Sequence, residues 1–145
     1  MKRLRVMIVE DQKLLRMLWD KALVEVLFEK RFAVDGEAAL QLYKSWKPEL
    51  ILLDVILPIM TGYQVLKEIR EEMGDLATPI VMETSLSEKD DILECLKLGI
   101  SGYIVKPFNL KEVPGKIIQY VSSAYPAWAE EAAAALSSNS KSPGV

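Results

Sequence analysis

Short runs of apolar and β-branched residues alternate along this chain with longer amphipathic stretches. The runs lie at residues 4–9, 28–34, 50–53, 80–84 and 103–105. Runs of this length and composition predict β-strands. The second run is the weakest, because Glu29, Lys30 and Arg31 interrupt it. A strand at the edge of a sheet would tolerate those charges.

Between the runs, apolar residues recur at the three- and four-residue spacing of helices that bury one face. The predicted inward faces are Leu14, Leu15, Leu18, Ala22 and Leu23; Ala38, Ala39, Leu42, Tyr43 and Trp46; Val65, Leu66, Ile69 and Met73; and Ile92, Leu93 and Leu96.

Polar residues indicate where two helices start, the one that contains Ile92 and a fifth one after the last strand. Ser87 with Asp90, and Asn109 with Glu112, have the spacing of helix-capping pairs. Pro114 would then fall inside the fifth helix, where a proline removes a backbone hydrogen bond and is expected to kink the first turns.

Repeated strand–helix units imply right-handed crossovers and a parallel sheet with helices on both faces. The predicted fold is therefore α/β and doubly wound, with five strands in the flavodoxin-like order 2-1-3-4-5. Sheets of this type bind ligands beyond the carboxyl ends of their strands, near the switch point between the first and third strands.

Polar residues follow the predicted strands at those ends. They are Glu10 and Asp11, Asp54, Thr84 and Ser85, and Lys106. Carboxylates that converge on one point repel one another unless a cation neutralises them, and oxygen donors without histidine or cysteine suit Mg²⁺. A hydroxyl and an ammonium group nearby could bind phosphoryl oxygens, which makes Asp54 a candidate nucleophile.

The composition narrows the possible functions. The chain has 145 residues, room for one domain plus a tail, and its 50% hydrophobic and 27% charged residues are typical of a globular protein. A net charge of −3 disfavours direct binding to nucleic acid or to an anionic membrane. No apolar run approaches the roughly 18 residues of a spanning helix, so we expect a cytoplasmic protein.

The residue types that are missing also matter. The chain has no histidine and a single cysteine, Cys95. The usual general base and the usual transition-metal ligand are therefore absent. Any chemistry must use carboxylates, hydroxyls and lysine.

Four segments carry a resemblance to a known family: VEDQ, LILLDVILPIMTG, VMETS and GYIVKPF. In this order they resemble the receiver domain of two-component response regulators, over roughly residues 4–122. The match is specific because separated positions agree in residue type, order and placement at strand ends. We expect a receiver domain at residues 1–122 and a tail at residues 123–145.

The resemblance implies a set of Mg²⁺ ligands. Asp11 would bind the ion directly and Glu10 through water. Asp54 would be a ligand as well as the phosphoacceptor. The backbone carbonyl of Ile56 would complete the protein ligands.

The resemblance also implies the switch residues. Thr84 matches the switch hydroxyl, Tyr103 the switch aromatic, and Lys106 the lysine that pairs with the phosphoryl group. Pro107 then suggests a cis Lys–Pro bond.

Three positions depart from the family pattern or tune it. Glu83 stands where the family usually has an apolar residue, and a buried carboxylate there would need a partner such as Lys106 or solvent. Ile56 and Leu86 flank the path of the water that hydrolyses the acyl phosphate. Both are apolar and branched, so we expect them to lengthen the lifetime of phospho-Asp54.

The function implied by the resemblance is a phosphorylation-dependent signalling switch and not a conventional enzyme. Asp54 would take a phosphoryl group from a partner histidine kinase or histidine phosphotransfer protein, since the chain has no histidine of its own. The aspartyl phosphate would decay slowly by autodephosphorylation. A downstream protein partner or an output domain would recognise the phosphorylated form.

Three alternatives are weaker. A receiver-like module without phosphate turnover conflicts with the presence of Asp54, Thr84 and Lys106. An aspartyl phosphohydrolase typically carries a second Asp two residues on, where this chain has Ile56. A nucleotide or flavin binder would need a glycine-rich loop after the first strand, where this chain has acidic residues.

The tail changes character after Ser122. Its Ala-rich stretch contains Trp128 and good helix formers, and it ends at Ser142, Pro143 and Gly144. The pattern is compatible both with an extra helix after Pro126 and with a frayed linker.

Overall fold

The computed structural model describes residues 1–140, apart from the side chains of Leu86, Asn139 and Ser140. Its strands are β1 (Leu4–Val9), β2 (Phe28–Ala33), β3 (Leu50–Asp54), β4 (Ile80–Thr84) and β5 (Gly102–Val105). They form one parallel sheet in the order β2-β1-β3-β4-β5. The predicted α/β fold and strand order are confirmed, and the charged second strand lies at an edge of the sheet.

Six α-helices follow the strands within the described residues. They are α1 (Lys13–Ala22), α2 (Gly36–Trp46), α3 (Gly62–Lys67), α4 (Lys89–Leu98), α5 (Val113–Val121) and α6 (Pro126–Ser140). A π-helical segment, Glu68–Glu72, continues α3, and a 3₁₀ turn, Leu86–Glu88, precedes α4.

The sheet separates two hydrophobic layers. Alternate residues of a strand point to opposite faces, so Val6 and Ile8 of β1 pack in one layer while Met7 and Val9 pack in the other. The first layer is covered by α1, α5 and α6, and the second by α2, α3 and α4. Helices on both faces explain why the central strands are mostly apolar.

The inward face of α1 differs from the prediction. Trp19 is fully buried, whereas Leu14 is 67% exposed. The helix carries several leucines, so its spacing is compatible with more than one apolar stripe. Contact with β4 and the β5–α5 loop decides which stripe is buried, because Trp19 bonds to Glu83 and stacks on Phe108.

The inward face of α4 was also wrong in part. Ile92 is buried as predicted, but its companion is Cys95, while Leu93 and Leu96 are 57% and 49% exposed. A small residue fits closely against the sheet, and the larger leucines are left on the solvent side.

Both predicted helix-start pairs were misplaced. Before α4, the side chain of Glu88 accepts a hydrogen bond from the backbone N–H of Ser85, two residues earlier than predicted. The Asn109 side chain accepts from the Lys111 N–H, and α5 begins only at Val113. Short polar side chains stabilise turns as readily as helix starts, so spacing alone did not distinguish them.

Pro114 does not interrupt α5. It is the second residue of the helix. Backbone N–H groups in the first turn have no partner within the helix, so a proline there removes no intrahelical bond. The expected kink is therefore wrong.

The chain after the fifth helix returns to the sheet. Ala129 and Ala132 of α6 are buried in the first hydrophobic layer. The Trp128 indole donates to the carbonyl of Lys2 at 2.9 Å, and the Tyr125 hydroxyl donates to the carbonyl of Glu49 at 2.8 Å. Residues 126–140 are thus helical, and Ala129 and Ala132 anchor the helix on the first layer. The domain boundary at residue 122 stays a prediction, and residues 141–145 lie outside the described residues.

Candidate functional site

Three carboxylates form a row across the carboxyl ends of the central strands. Strand register pairs Asp54 of β3 with Glu83 of β4, and Val9 with Leu53, so Glu10 follows β1 at the level of Asp54. One oxygen of each carboxylate lies within 4.8 Å of the others. All three residues are buried. We call Glu10, Asp54 and Glu83 the carboxylate row.

Asp54 lies in the middle of the row and contacts a cation. The Lys106 ammonium is 3.2 Å and 3.3 Å from its two oxygens, and the Ile56 N–H donates to Oδ1 at 3.0 Å. Burial raises the pKa of Asp54 against the opposing effects of the Ile56 N–H and of Lys106. The pKa of Lys106 is raised, because the charges of Asp54 and Glu83 outweigh its burial.

The two outer carboxyl groups each have one bonded and one unbonded oxygen. Glu10 Oε2 accepts from the Gln12 N–H at 3.1 Å, and Glu83 Oε2 accepts from the Trp19 indole at 2.8 Å. Neither Glu10 Oε1 nor Glu83 Oε1 has a hydrogen-bond donor among the described residues. Burial and the charge of Glu83 raise the pKa of Glu10 to about 9. Burial and the charge of Asp54 raise the pKa of Glu83 to about 7, against the lowering effects of the Trp19 hydrogen bond and of Lys106. The hydrogen-bond donor to Glu83 is therefore Trp19, while Lys106, suggested from the sequence, acts on Glu83 only through its charge.

The carboxylate row fits a hard divalent cation. Its possible ligand atoms are all oxygens, and two of its buried oxygens lack a hydrogen-bond donor. Asp11 is exposed and is not a member of this group within residues 1–140. The structure thus brings Glu10 and Asp54 together and adds Glu83, while Asp11 lies at the surface beside them in sequence.

The hydrogen bonds described for the predicted switch residues go to groups other than Asp54. Thr84 is buried, and its hydroxyl donates to Glu88 Oε2 at 2.9 Å and to the Ser85 carbonyl at 3.1 Å. Tyr103 is 45% exposed, and its carbonyl accepts from the Tyr120 hydroxyl. The Lys106–Pro107 bond is cis, as the resemblance implied.

The two residues predicted to control lifetime are described to different extents. Ile56 is 55% exposed, two residues after the buried strand that ends in Asp54. The side chain of Leu86 lies outside the described part of the structure. Their effect on the lifetime of an aspartyl phosphate stays a prediction.

Comparison with known proteins identifies the family. The family model described as "Response regulator receiver domain" matches residues 6–118. The chain belongs to the response regulator receiver family. Receiver domains are signalling domains of two-component systems, and the expected family is confirmed.

Relatives and solved structures agree with this assignment. The receiver is 35% identical over 117 residues to the "Probable transcriptional regulator ycf27" of Porphyridium aerugineum, covering 81% of this chain and 48% of that protein. It is 33% identical to the "Regulatory protein AtoC" of Escherichia coli, covering 75% of this chain and 23% of that one. The chemotaxis response regulator CheY4 of Vibrio cholerae superposes with a TM-score of 0.75 at 28% identity, covering 82% of this chain and 99% of the other.

The receiver spans about half the length, or less, of these curated relatives. Within residues 1–140, none of its helices combines the length and the apolar character needed to cross a membrane.

Sequence reasoning missed two residues that shape this site. Trp19 was absent from the predicted face of α1, although it lies four residues after Leu15 and three before Ala22, on one helical stripe. Glu88 was not considered, because its contact with Thr84 depends on the turn between β4 and α4. Glu83 was noticed as a charge in an apolar strand, but its partner lies 64 residues away in the sequence.

Proposed function

We propose that Asp54 is the phosphoacceptor of this receiver and takes its phosphoryl group from a phosphohistidine on a partner kinase or phosphotransfer protein. The observation that carries the proposal is the position of Asp54: it is buried at the carboxyl end of β3, and the Lys106 ammonium contacts both of its oxygens. A carboxylate so placed is an oriented nucleophile with a cation ready for added negative charge.

The chemistry is a transfer between two nucleophiles. A carboxylate oxygen of Asp54 bonds to phosphorus as the bond from phosphorus to the donor imidazole nitrogen breaks, and the imidazole leaves with that electron pair. Lys106 stabilises the charge on the phosphoryl oxygens. The Ile56 N–H fixes the orientation of the carboxylate.

Mg²⁺ is the proposed cofactor. Glu10, Asp11, Asp54 and the Ile56 carbonyl would hold it, and it would supply positive charge against the phosphoryl oxygens. The buried oxygens of the carboxylate row that lack donors support a cation in this place.

Phosphorylation would be transmitted through Thr84 and Tyr103. The Thr84 hydroxyl now bonds to Glu88, and the added phosphoryl group would compete for it. The resulting rearrangement of the β4–α4 turn would be recognised by a downstream protein or output domain. Relatives described as transcriptional regulators support an output of this kind.

The assignment is tested by incubating the receiver with Mg²⁺ and acetyl phosphate. Intact-protein mass spectrometry should show the added mass of one phosphoryl group, and peptide mapping should place it on Asp54. Asp54→Asn should remove the label, because an amide is a poor nucleophile. The matched control is Asp90→Asn, an exposed carboxylate of α4, which should label like the wild type. Equal labelling of the wild type and Asp54→Asn would refute the assignment.

A further inference from the structure

Glu83 occupies a position where its side chain must face the site. Residues paired in register on neighbouring parallel strands project to the same face of the sheet. Asp54 pairs with Glu83, and Glu83 pairs with Ile104, which is buried in the layer covered by α1 and α5. An apolar side chain would complete this layer, but here it ends in a carboxylate only 2% exposed.

A like-charge neighbour at this position has a structural cost. Carboxylates directly opposite each other on neighbouring strands destabilise a sheet, and burial increases the effect. Lys106 contacts Asp54, and its ammonium does not hydrogen-bond to Glu83 among the described contacts. The Trp19 indole satisfies one oxygen of Glu83 and leaves Oε1 without a donor.

The two unbonded oxygens belong to the same row. Glu10 follows β1 and Glu83 lies near the end of β4, the strands on either side of β3, and one oxygen from each of the three carboxylates lies within 4.8 Å of the others. Buried polar atoms are nearly always bonded to a donor, a water or an ion. Two carboxylate oxygens without donors, in a group of three carboxylates, form a set of hard oxygen ligands.

We propose that Glu83 is a side-chain ligand of the divalent cation at this site and strengthens its binding. This inference rests on the proposal that such a cation binds beside Asp54. It extends the ligand set on the β4 side, where the family pattern has an apolar residue.

Trp19 has a positioning role in this arrangement. Groups that hydrogen-bond to a ligand's second oxygen fix its orientation and raise metal affinity. The indole of Trp19 donates to Glu83 Oε2 at 2.8 Å from the buried face of α1, and its ring stacks on Phe108 at 4.3 Å. The Glu83 carboxylate is thereby held with Oε1 free for a cation.

The direct test is a crystal structure of the wild-type protein with Mn²⁺, whose anomalous signal locates the ion. An ion bonded to an oxygen of Glu83 as well as to Asp54 supports the proposal. An ion bonded to Asp54 and separated from Glu83 by water overturns it.

The second test is Mg²⁺ affinity, measured by calorimetry. Glu83→Gln keeps the shape of the side chain and an acceptor for Trp19, and it should weaken Mg²⁺ binding roughly tenfold or more. Trp19→Phe keeps the carboxylate but loses its orienting N–H, and should weaken binding to a smaller extent. Glu49→Gln changes a half-buried carboxylate at the amino end of β3, opposite the site, and this variant should bind Mg²⁺ like the wild type. Unchanged affinity in Glu83→Gln overturns the proposal. If that variant does not fold, the Mn²⁺ structure of the wild type decides alone.

This inference and the proposed function fail separately. Absence of label on wild-type Asp54 would refute the phosphoacceptor role, while an ion bonded to Glu83 would still establish the ligand. Conversely, Asp54 labelling without an ion at Glu83 would leave the phosphoacceptor role intact and refute the ligand.

Discussion

At the scale of single residues, similar carboxylates acquire opposite properties from their surroundings. The hydrogen bonds that Asp54 accepts do not outweigh the effect of its burial, so its pKa is raised. Asp75 is half-buried, and burial alone would raise its pKa too. Hydrogen bonds from the Thr78 hydroxyl, the Tyr43 hydroxyl and two backbone N–H groups outweigh burial and lower it to about 2. Burial therefore dominates the pKa of the site carboxylate, while hydrogen bonds dominate that of the structural one.

The depressed pKa of Asp75 predicts a pH-dependent contribution to stability. A carboxyl group with a pKa lower in the folded than in the unfolded protein stabilises the fold above its unfolded pKa, here 3.8. That contribution is lost as the pH falls toward about 2. At pH 7, Asp75→Asn should lower the free energy of unfolding by about 1–2 kcal/mol, allowing for solvent screening of a half-buried group.

Urea denaturation at several pH values between neutral and acid measures this effect. The difference between Asp75→Asn and the wild type should shrink on acidification, and the exposed control Asp90→Asn should change little at any pH. A difference that stays constant into the acid range would show that Asp75 acts through its shape and not its charge.

At the scale of elements, the β3–α3 connection holds the backbone beside Asp54. The Gly62 N–H donates to the Val55 carbonyl at 2.9 Å, and Thr61 and Gln64 form a capping box at the start of α3. A Cβ on Gly62 would lie 2.1 Å from the Asp54 carbonyl oxygen. Only a glycine lets α3 start this close to Asp54.

A pair of glycine substitutions tests this close approach. Gly62→Ala should lower the free energy of unfolding by about 1–3 kcal/mol, because backbone must move to remove the clash. It should also slow Asp54 labelling. Gly115→Ala is the matched control, since nothing lies near its Cβ and the residue is inside α5. It should raise stability by up to about 1 kcal/mol through helix propensity.

Thermal and urea denaturation of both variants provide the measurement. Equal stability of Gly62→Ala and the wild type would mean that the connection adapts at no cost, which would contradict its proposed rigidity.

At the scale of the whole molecule, α6 contacts the amino ends of the strands, opposite the site. Trp128 contacts the Phe28 ring at 5.6 Å and donates to Lys2, while Tyr125 donates to Glu49. Lys2 and Glu49 precede β1 and β3, at the amino ends of strands whose carboxyl ends carry the carboxylate row. The helix therefore stabilises the fold at the end of the sheet away from the site and does not cover the carboxylate row.

This separation predicts that stability and phosphorylation respond differently to a change in α6. Trp128→Ala removes a half-buried ring and an indole hydrogen bond, and should lower the free energy of unfolding by about 2 kcal/mol. Labelling of Asp54 by acetyl phosphate should stay as in the wild type at a temperature where both are folded. Glu131→Ala, an exposed residue of the same helix, is the control and should alter neither. Wild-type stability in Trp128→Ala would contradict a stabilising role for α6.

Much of this architecture follows from local sequence patterns. Apolar runs located five strands to within one residue at each end, because strands covered on both faces by helices are short continuous apolar runs. Glu10, Asp54, Thr84 and Lys106 could be identified as candidates because the carboxyl ends of parallel strands share one edge of the sheet.

Tertiary structure alone decided which of several apolar stripes each helix buries and which groups meet across the sheet. The leucines of α1 and α4 offered more than one face, and packing buried Trp19 and Cys95 instead of Leu14 and Leu93. The bond from Trp19 to Glu83 joins residues 64 positions apart. A partner at that separation is chosen by the distance between elements and the space that packing leaves, and neither quantity is encoded in a local pattern.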